Sequence, residues 1–187
     1  YTFQNAEQAN SYGAEIELKK SLEGFSKKDN FLKYFKNFNL VLNASVIKSV
    51  VNFENNEEDK DRPMQGQSPY IVNAGIFYQD DKSGWMFSAL YNIIGKRIVA
   101  VGQPMQNADE SIPDAYEMPR NLLDLSFSKK IGNKMQIKGG IQDIFNDPFE
   151  TRQFVNYTKN GEKITREQTT YLYRPGTYIT LGLSYYF

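Results

Sequence analysis

The chain has 187 residues, with 22 basic and 22 acidic side chains and neither cysteine nor histidine. Balanced charge gives no global attraction to nucleic acid or to an anionic membrane surface. The missing Cys and His exclude a disulfide scaffold, thiolate or imidazole metal sites, and Ser-His or Cys-His nucleophile pairs.

The mean hydropathy of −0.59 excludes a helical membrane protein. No run approaches the roughly 18 apolar residues of a membrane-crossing helix. A membrane β-barrel stays open, because its strands are half polar and its loops polar. Tyr and Phe number 13 each, with one Trp, a load that suits interfacial girdles as well as β-structure in general. The chain starts at Tyr1 without an initiator Met or a basic and apolar signal segment. Tyr1 is then either a mature N-terminus or, as we read it, a position inside a longer polypeptide.

Strands follow in chain order from a period of two, because successive strand side chains point to opposite faces. Residues 11–22 set Tyr12, Ala14, Ile16, Leu18 and Leu22 against Glu15, Glu17 and Lys19. Two carboxylates and an ammonium belong in water, so that face should line a wet interior. Residues 37–50 set Phe38, Leu40, Leu42, Ala44 and Val46 against Asn37, Asn39, Asn43 and Ser45. Residues 67–79 align Tyr70, Val72, Ala74, Ile76 and Tyr78, opposite Asn73 and Gly75. Residues 85–93 align Trp85, Phe87, Ala89, Tyr91 and Ile93, opposite Ser88 and Asn92. Residues 121–130 set Leu123, Leu125 and Phe127 against Asp124, Ser126 and Ser128. Residues 135–145 set Met135, Ile137, Gly139, Ile141 and Phe145 against Gln136, Lys138 and Gln142. The last strand, 176–187, aligns Ile179, Leu181, Leu183, Tyr185 and Phe187 against Tyr178, Thr180, Gly182, Ser184 and Tyr186. That makes about seven strands, each near the roughly 9–11 residues a tilted strand needs to cross a bilayer.

The connections alternate in length. Residues 80–84 and 131–134 are tight turns carrying Gly, Asp and Asn. Residues 51–66, 95–120 and 146–174 are long. With the C-terminus on the periplasmic side, both tight turns fall there and the three long loops fall outside, as outer-membrane barrels require. Residues 23–36 make a longer periplasmic turn than usual. Within the last loop, Asn160-Gly161 lies between two β-prone runs, residues 153–157 and 163–173. This is a hairpin signal, and we expect the hairpin to rise above the membrane.

The pattern predicts an all-β fold, an antiparallel transmembrane β-barrel segment. The competing fold is a soluble β-sandwich. Strand length, loop asymmetry and the charges along one face of the first strand argue against it. Tyr12, Tyr70, Tyr78, Trp85, Tyr91, Tyr185 and Phe187, near strand ends on the apolar faces, are expected at the headgroup level.

Several stretches resemble the C-terminal third of TonB-dependent outer-membrane receptors of the Bacteroidetes type. They are YGAEIEL at 12–18, RPMQGQSPYIVNAGIFY at 62–78, YNIIGKRI at 91–98, PRNLLDLSFSKKIG at 119–132, GGIQDIFN at 139–146 and the terminal GLSYYF. None is diagnostic alone, but their order matches the family's final strands. The resemblance implies that residues 1–187 are part of a barrel of about 22 strands, with the family's plug domain absent from this stretch. It also implies uptake of a large scarce nutrient: siderophore-bound iron, haem, cobalamin or an oligosaccharide. The chain itself is then not an enzyme and carries no cofactor. Its partners would be outer-membrane lipid, the plug, TonB, the barrel-assembly machinery and a surface lipoprotein, with no nucleic acid. Leu183, Tyr185 and Phe187 resemble the barrel-insertion signal. The alternatives are a small stand-alone outer-membrane barrel or adhesin, which needs an eighth strand best supplied by residues 153–173, and a soluble β-sandwich that binds carbohydrate.

Loops on a rigid scaffold carry binding residues. Arg97, Gln103, Asn107, Tyr116 and Arg120 in or beside the longest loop, and Arg152 at the hairpin, are the candidates for ligand contact. An ordinary surface loop explains them equally well. Gln65 to Tyr70 reads as turn geometry rather than a ligand site. The acidic run 54–61 lacks calcium-loop spacing and reads as solvated surface. Glu15 and Glu17 lie roughly 7 Å apart along one strand face. Glycosidase carboxylates tolerate that spacing, but a lumen-lining face accounts for the pair better. The matches to the glycosylation acceptor pattern at Asn43 and Asn156 are due to chance in a bacterial outer-membrane protein.

Overall fold

The computed structural model describes residues 8–25, 31–52, 61–103, 111–159 and 161–187. Eleven strands account for almost all of it: β1 (Gln8–Ser21), β2 (Phe38–Asn52), β3 (Tyr70–Asp80), β4 (Trp85–Ile94), β5 (Arg97–Ala100), β6 (Ala115–Glu117), β7 (Arg120–Ile131), β8 (Met135–Gln142), β9 (Phe149–Lys159), β10 (Glu162–Tyr173) and β11 (Tyr178–Tyr185). Two short 3-10 helices, Glu23–Phe25 and Phe31–Asn37, lie between β1 and β2. The fold is all-β and antiparallel. No described helix is long and apolar enough to cross a membrane.

Seven strands form one open sheet in the order β1-β2-β3-β4-β7-β8-β11. These are the seven that alternation predicts. Their register keeps one apolar face continuous through the middle of the sheet, with Lys20, Lys48, Lys129 and Asn121 entering it only toward the strand ends. Leu18 faces Leu42, Leu42 faces Ala74, and Ala74 faces Tyr91. Ala89 faces Leu125, Leu125 faces Ile141, and Ile141 faces Ile179. The side-chain period of two allows no one-residue slip without turning a strand's apolar set to the other face. The opposite face is mixed, with apolar Val41, Phe77, Met86 and Leu90 set among polar rows: Asn43, Asn73 and Asn92 align across β2, β3 and β4, and Ser88 faces Ser126 with oxygens 2.7 Å apart.

One end of the sheet has short connections and the other has long ones. Tight turns join β3 to β4 and β7 to β8, with Gly84 and Gly132 at φ +71° and +59°. That backbone region suits glycine, which has no Cβ to clash. The β1–β2 connection, residues 22–37 with its two 3-10 helices, is the long exception at the tight-turn end, and the other long connections leave from the opposite end. The expected strands shift by one to three residues at most boundaries, and two of the shifts have a visible local cause. β3 begins at Tyr70 rather than Gln67 because Ser68 turns its hydroxyl inward to the Gly95 carbonyl, 2.8 Å away. β8 stops at Gln142 because Asp143 and Asn146 adopt φ +54° and +47°.

The other four strands form a second sheet in the order β10-β9-β6-β5. Each continues a strand of the first sheet: β5 follows β4, β6 precedes β7, β9 follows β8 and β10 precedes β11. The two sheets are thus one wall broken along a seam at residues 95–96, 118–119, 143–148 and 174–177. The hairpin signalled by Asn160-Gly161 is β9–β10, and Gly161 has φ +82°. It extends the wall beyond the seam.

Little of this structure is buried. Val51 and Ile98 are the only buried hydrophobic residues among those described. The apolar face of the seven-stranded sheet is exposed: Leu181 keeps 80% of its surface accessible, Ile16 69% and Phe87 46%.

Candidate functional site

The long-loop end of the wall holds the candidate residues, and the seam positions them. Arg120, at the start of β7, pairs with the Asp143 carboxylate across the seam and donates from Nε to the Asp147 carbonyl at 3.1 Å. Asp143 is buried. Its backbone N–H donates to Asp124 Oδ1 at 2.8 Å. Asp147 in turn accepts from the Asn121 backbone and amide at 3.1 and 2.8 Å. Asn146 caps the other side, accepting from Gly176 N–H at 3.0 Å and from Arg174 at 2.8 Å. The Asp and Asn side chains thus replace the ladder bonds that the seam interrupts, satisfying backbone groups that would otherwise be orphaned.

Beyond the seam, Arg97 and Glu117 are cross-strand partners. The guanidinium donates twice to one carboxylate oxygen, at 3.0 and 2.8 Å. Tyr116 and Arg152 are likewise directly opposite each other. Arg152 makes a two-pronged pair with Glu150, at 2.8 and 2.9 Å, and reaches Glu167 at 3.0 Å. The hydrogen bond from Arg152 holds the Glu150 carboxyl below its ordinary value; partial burial opposes this, and the Thr169 hydroxyl adds to it. The same bond raises Arg152 further.

Tyr116 stands at 5.7 Å from Phe154, edge to face. The ammonium of Lys96 lies over both rings, 4.1 Å from Tyr116 and 3.7 Å from Phe154. Ring faces are negative and attract the cation. Burial pulls the Lys96 pKa down, and Glu167 partly offsets this. Burial also pushes the Tyr116 phenol up, with the Asp114 carboxylate adding to it.

The candidates therefore divide. Arg97, Arg120 and Arg152 spend their charge on internal carboxylates, and Tyr116 is half of an aromatic pair around Lys96. Gln103 is bonded through its backbone to Ile112, at 2.8 and 2.9 Å, with its side chain exposed. Asn107 lies outside the described residues, as does most of the acidic run 54–61. Lys96 and Glu117 carry no signal in the sequence, since their partners come from separate strands, whereas Glu150 has its partner Arg152 two residues along the same strand. Gln65 to Tyr70 is stitched to β5 and β4, with Gly66 at φ +80° and its N–H on the Ile98 carbonyl at 2.7 Å. Glu15 accepts from Asn43 at 2.5 Å and Glu17 pairs with Lys19 at 2.7 Å. Both carboxylates are thus engaged within the polar face. Among the described residues no group of three acidic side chains could hold a metal ion.

The polar face itself is hollowed. A groove of about 750 Å³ runs from Asn39 past Phe77, Met86 and Ser126 to Lys138 and Gly182. A smaller recess of about 330 Å³ adjoins it between Asn73, Asn92, Phe77 and Asp124. At the far end of β11, Leu183 faces Ile137 and Tyr185 faces Met135 on the apolar side. The Phe187 ring meets Tyr185 edge-on at 5.2 Å.

Comparison with protein-family models, with curated proteins and with solved structures finds no match to this chain.

Proposed function

We propose that the chain is a wall segment of an outer-membrane β-barrel of the TonB-dependent receptor type, serving active uptake of a large nutrient. The observation that carries this reading is the uncovered apolar face of seven antiparallel strands in unbroken register. Apolar patches on soluble monomers rarely exceed a few hundred Å². A face this large needs either a second sheet or lipid against it. The described residues supply no second layer, which weighs against the soluble sandwich.

The dimensions support lipid. Phe38, Tyr78, Phe87, Trp85 and Phe127 form an aromatic band at the tight-turn end, with neighbouring ring centres 5.0 to 6.4 Å apart. Tyr70 and Tyr91 mark the other end. Tyr70 and Tyr78 are eight residues apart, roughly 27 Å along the strand. At a tilt of roughly 40° that is about 20 Å of height, near the apolar band of such barrels. The loop asymmetry fits periplasmic turns at one end and an extracellular extension, β5, β6, β9 and β10, at the other.

Strand direction limits how the wall closes, and the placement of residues 153–173 favours the larger barrel over the stand-alone one. In a seven-stranded antiparallel sheet the two edge strands, β1 and β11, run the same way. They cannot pair antiparallel with each other, so closing the wall takes an odd number of further strands. The best internal candidate for an eighth, residues 153–173, is built into the extension instead. In this reading the polar face looks into the lumen, toward plug and nutrient, and TonB supplies the energy.

The test is insertion. The protein, refolded into detergent or lipid vesicles, should show strand-rich circular dichroism and protease protection of the seven strands. A protein that stays monomeric in buffer without detergent or lipid ends this proposal.

A further inference from the structure

We propose that the recess above Gly75 is a subsite for a neutral sugar ring, which makes an oligosaccharide the nutrient. This rests on the receptor reading, with the polar face inward.

Gly75 lies on the polar face of β3 between Asn73 and Phe77. A Cβ placed there would stand 2.8 Å from Phe77 Cε2 and 3.1 Å from Leu90 Cδ2. The glycine therefore lets the Phe77 ring lean back over the strand and form an apolar shelf with Leu90. Both remain open, with 36% and 44% of their surface accessible. Beside the shelf, Asn92 Nδ2 donates to Asn73 Oδ1 at 2.7 Å. That one bond leaves the Asn73 amide N–H₂ and the Asn92 carbonyl without protein partners, since each amide carries two donors and two acceptor lone pairs. Asp124 adds a carboxylate whose Oδ1 already holds the Asp143 N–H.

A sugar ring has the matching chemistry. Its C–H patch is slightly positive and suits the negative face of an aromatic ring. Its hydroxyls both donate and accept, as the spare amide groups require. The recess, at about 330 Å³, falls at the low end of the roughly 300–1,000 Å³ of ligand pockets. No basic side chain lines it, and its one charge is negative. In the recess an anionic iron chelate or a haem propionate would meet Asp124 and no cation: Arg97, Arg120 and Arg152 are engaged elsewhere, and Lys138 lines the adjoining groove rather than the recess.

The experiment titrates the full-length protein, purified in detergent, with neutral gluco-, manno-, galacto- and xylo-tetrasaccharides, and separately with haem and a ferric catecholate chelate. Calorimetry is the readout. One saccharide series should bind. Phe77→Ala and Asn73→Ala should each weaken it about tenfold, the scale of one lost contact in a site built around few. Gly75→Ala should do the same by lifting the ring. Asn92→Asp, which changes no volume, guards against a folding artefact in the others, and circular dichroism checks each variant. Saccharides that fail to bind folded protein, or that bind all four variants like the parent, overturn the inference. Binding of haem or chelate alone overturns it too and leaves the receptor reading in place. Failure to insert into membranes is a separate result and strikes the receptor reading itself.

Discussion

Arg120 and Asp143 join across the seam of the wall, and the Asp143 Oδ1 oxygen is buried with no hydrogen-bond partner. The pair is asymmetric in what its loss would do. Arg120→Ala would leave a buried carboxylate without its counter-charge, and breaking such a pair costs about 3–5 kcal/mol. Asp143→Asn should cost less. Asparagine tolerates the positive φ of this position, and its side-chain oxygen still accepts from Arg120. Urea midpoints in detergent should place Arg120→Ala well below Asp143→Asn. Equal midpoints would mean that the pair does not hold the seam.

The two faces of the sheet should respond oppositely to charge. Leu125→Arg or Leu183→Arg puts a guanidinium on the apolar face. If lipid covers that face, the cost near the midplane is about 2–4 kcal/mol. Ser126→Arg and Ser184→Arg, one residue along the same strands, point to the polar face and should cost under about 1 kcal/mol. The measurement is the urea midpoint of folding into vesicles. Tolerance of either leucine substitution would refute this register.

The charge-on-face prediction uses what alternation made legible. The seven long strands could be read because each keeps its period for eight or more residues, and a period needs length to show. β5 and β6, with 4 and 3 residues, are too short for that. They exist because they pair with each other and β6 pairs with β9, partners that sequence neighbours do not reveal. The early end of β8 had a local signal: Asp143 and Asn146 are the residue types that accept positive φ, and a cluster of them reads as a turn. The candidate arginines were legible as charged loop residues but not as engaged ones. The partners of Arg97 and Arg120 lie 20 and 23 residues away in sequence. Arg152 shows the limit most clearly. Glu150 is two residues off and visible as a same-face neighbour, whereas Glu167 is adjacent only once the hairpin closes.

The extension should loosen in acid. Arg152 holds the Glu150 carboxyl below its usual range. A carboxyl depressed in the folded state binds fewer protons than when unfolded. It therefore contributes stability above the unfolded value and loses it as pH falls through the folded one. Hydrogen exchange of β9 and β10 amides should speed up below about pH 4 relative to amides of β2 and β3, beyond the intrinsic pH effect. Glu150→Gln should raise exchange at neutral pH and remove the acid step. An acid step that persists in Glu150→Gln would assign it to another carboxylate, with Glu167 next to test.

Gly139 carries the closest aromatic contact on the apolar face. A Cβ there would lie 2.4 Å from Phe127 Cε1 and 2.6 Å from Cζ, so the ring covers the glycine directly. The two residues are cross-strand partners on β7 and β8. An aromatic ring laid over a strand glycine restores the surface that the missing side chain gives up. Gly139→Ala must push the ring outward and should cost about 1–3 kcal/mol, the usual range for overpacking. Phe127→Leu removes the clashing atoms, so the double variant should lose less than the sum of the singles. Contacting residues commonly show coupling of about 0.5–3 kcal/mol. Strict additivity in the double-mutant cycle would show that the ring does not rest on Gly139 in the folded protein. Phe127 faces Phe87 in the aromatic band. A ring displaced from Gly139 should therefore disturb its neighbour Trp85, at 6.4 Å, and shift the fluorescence of the chain's one tryptophan.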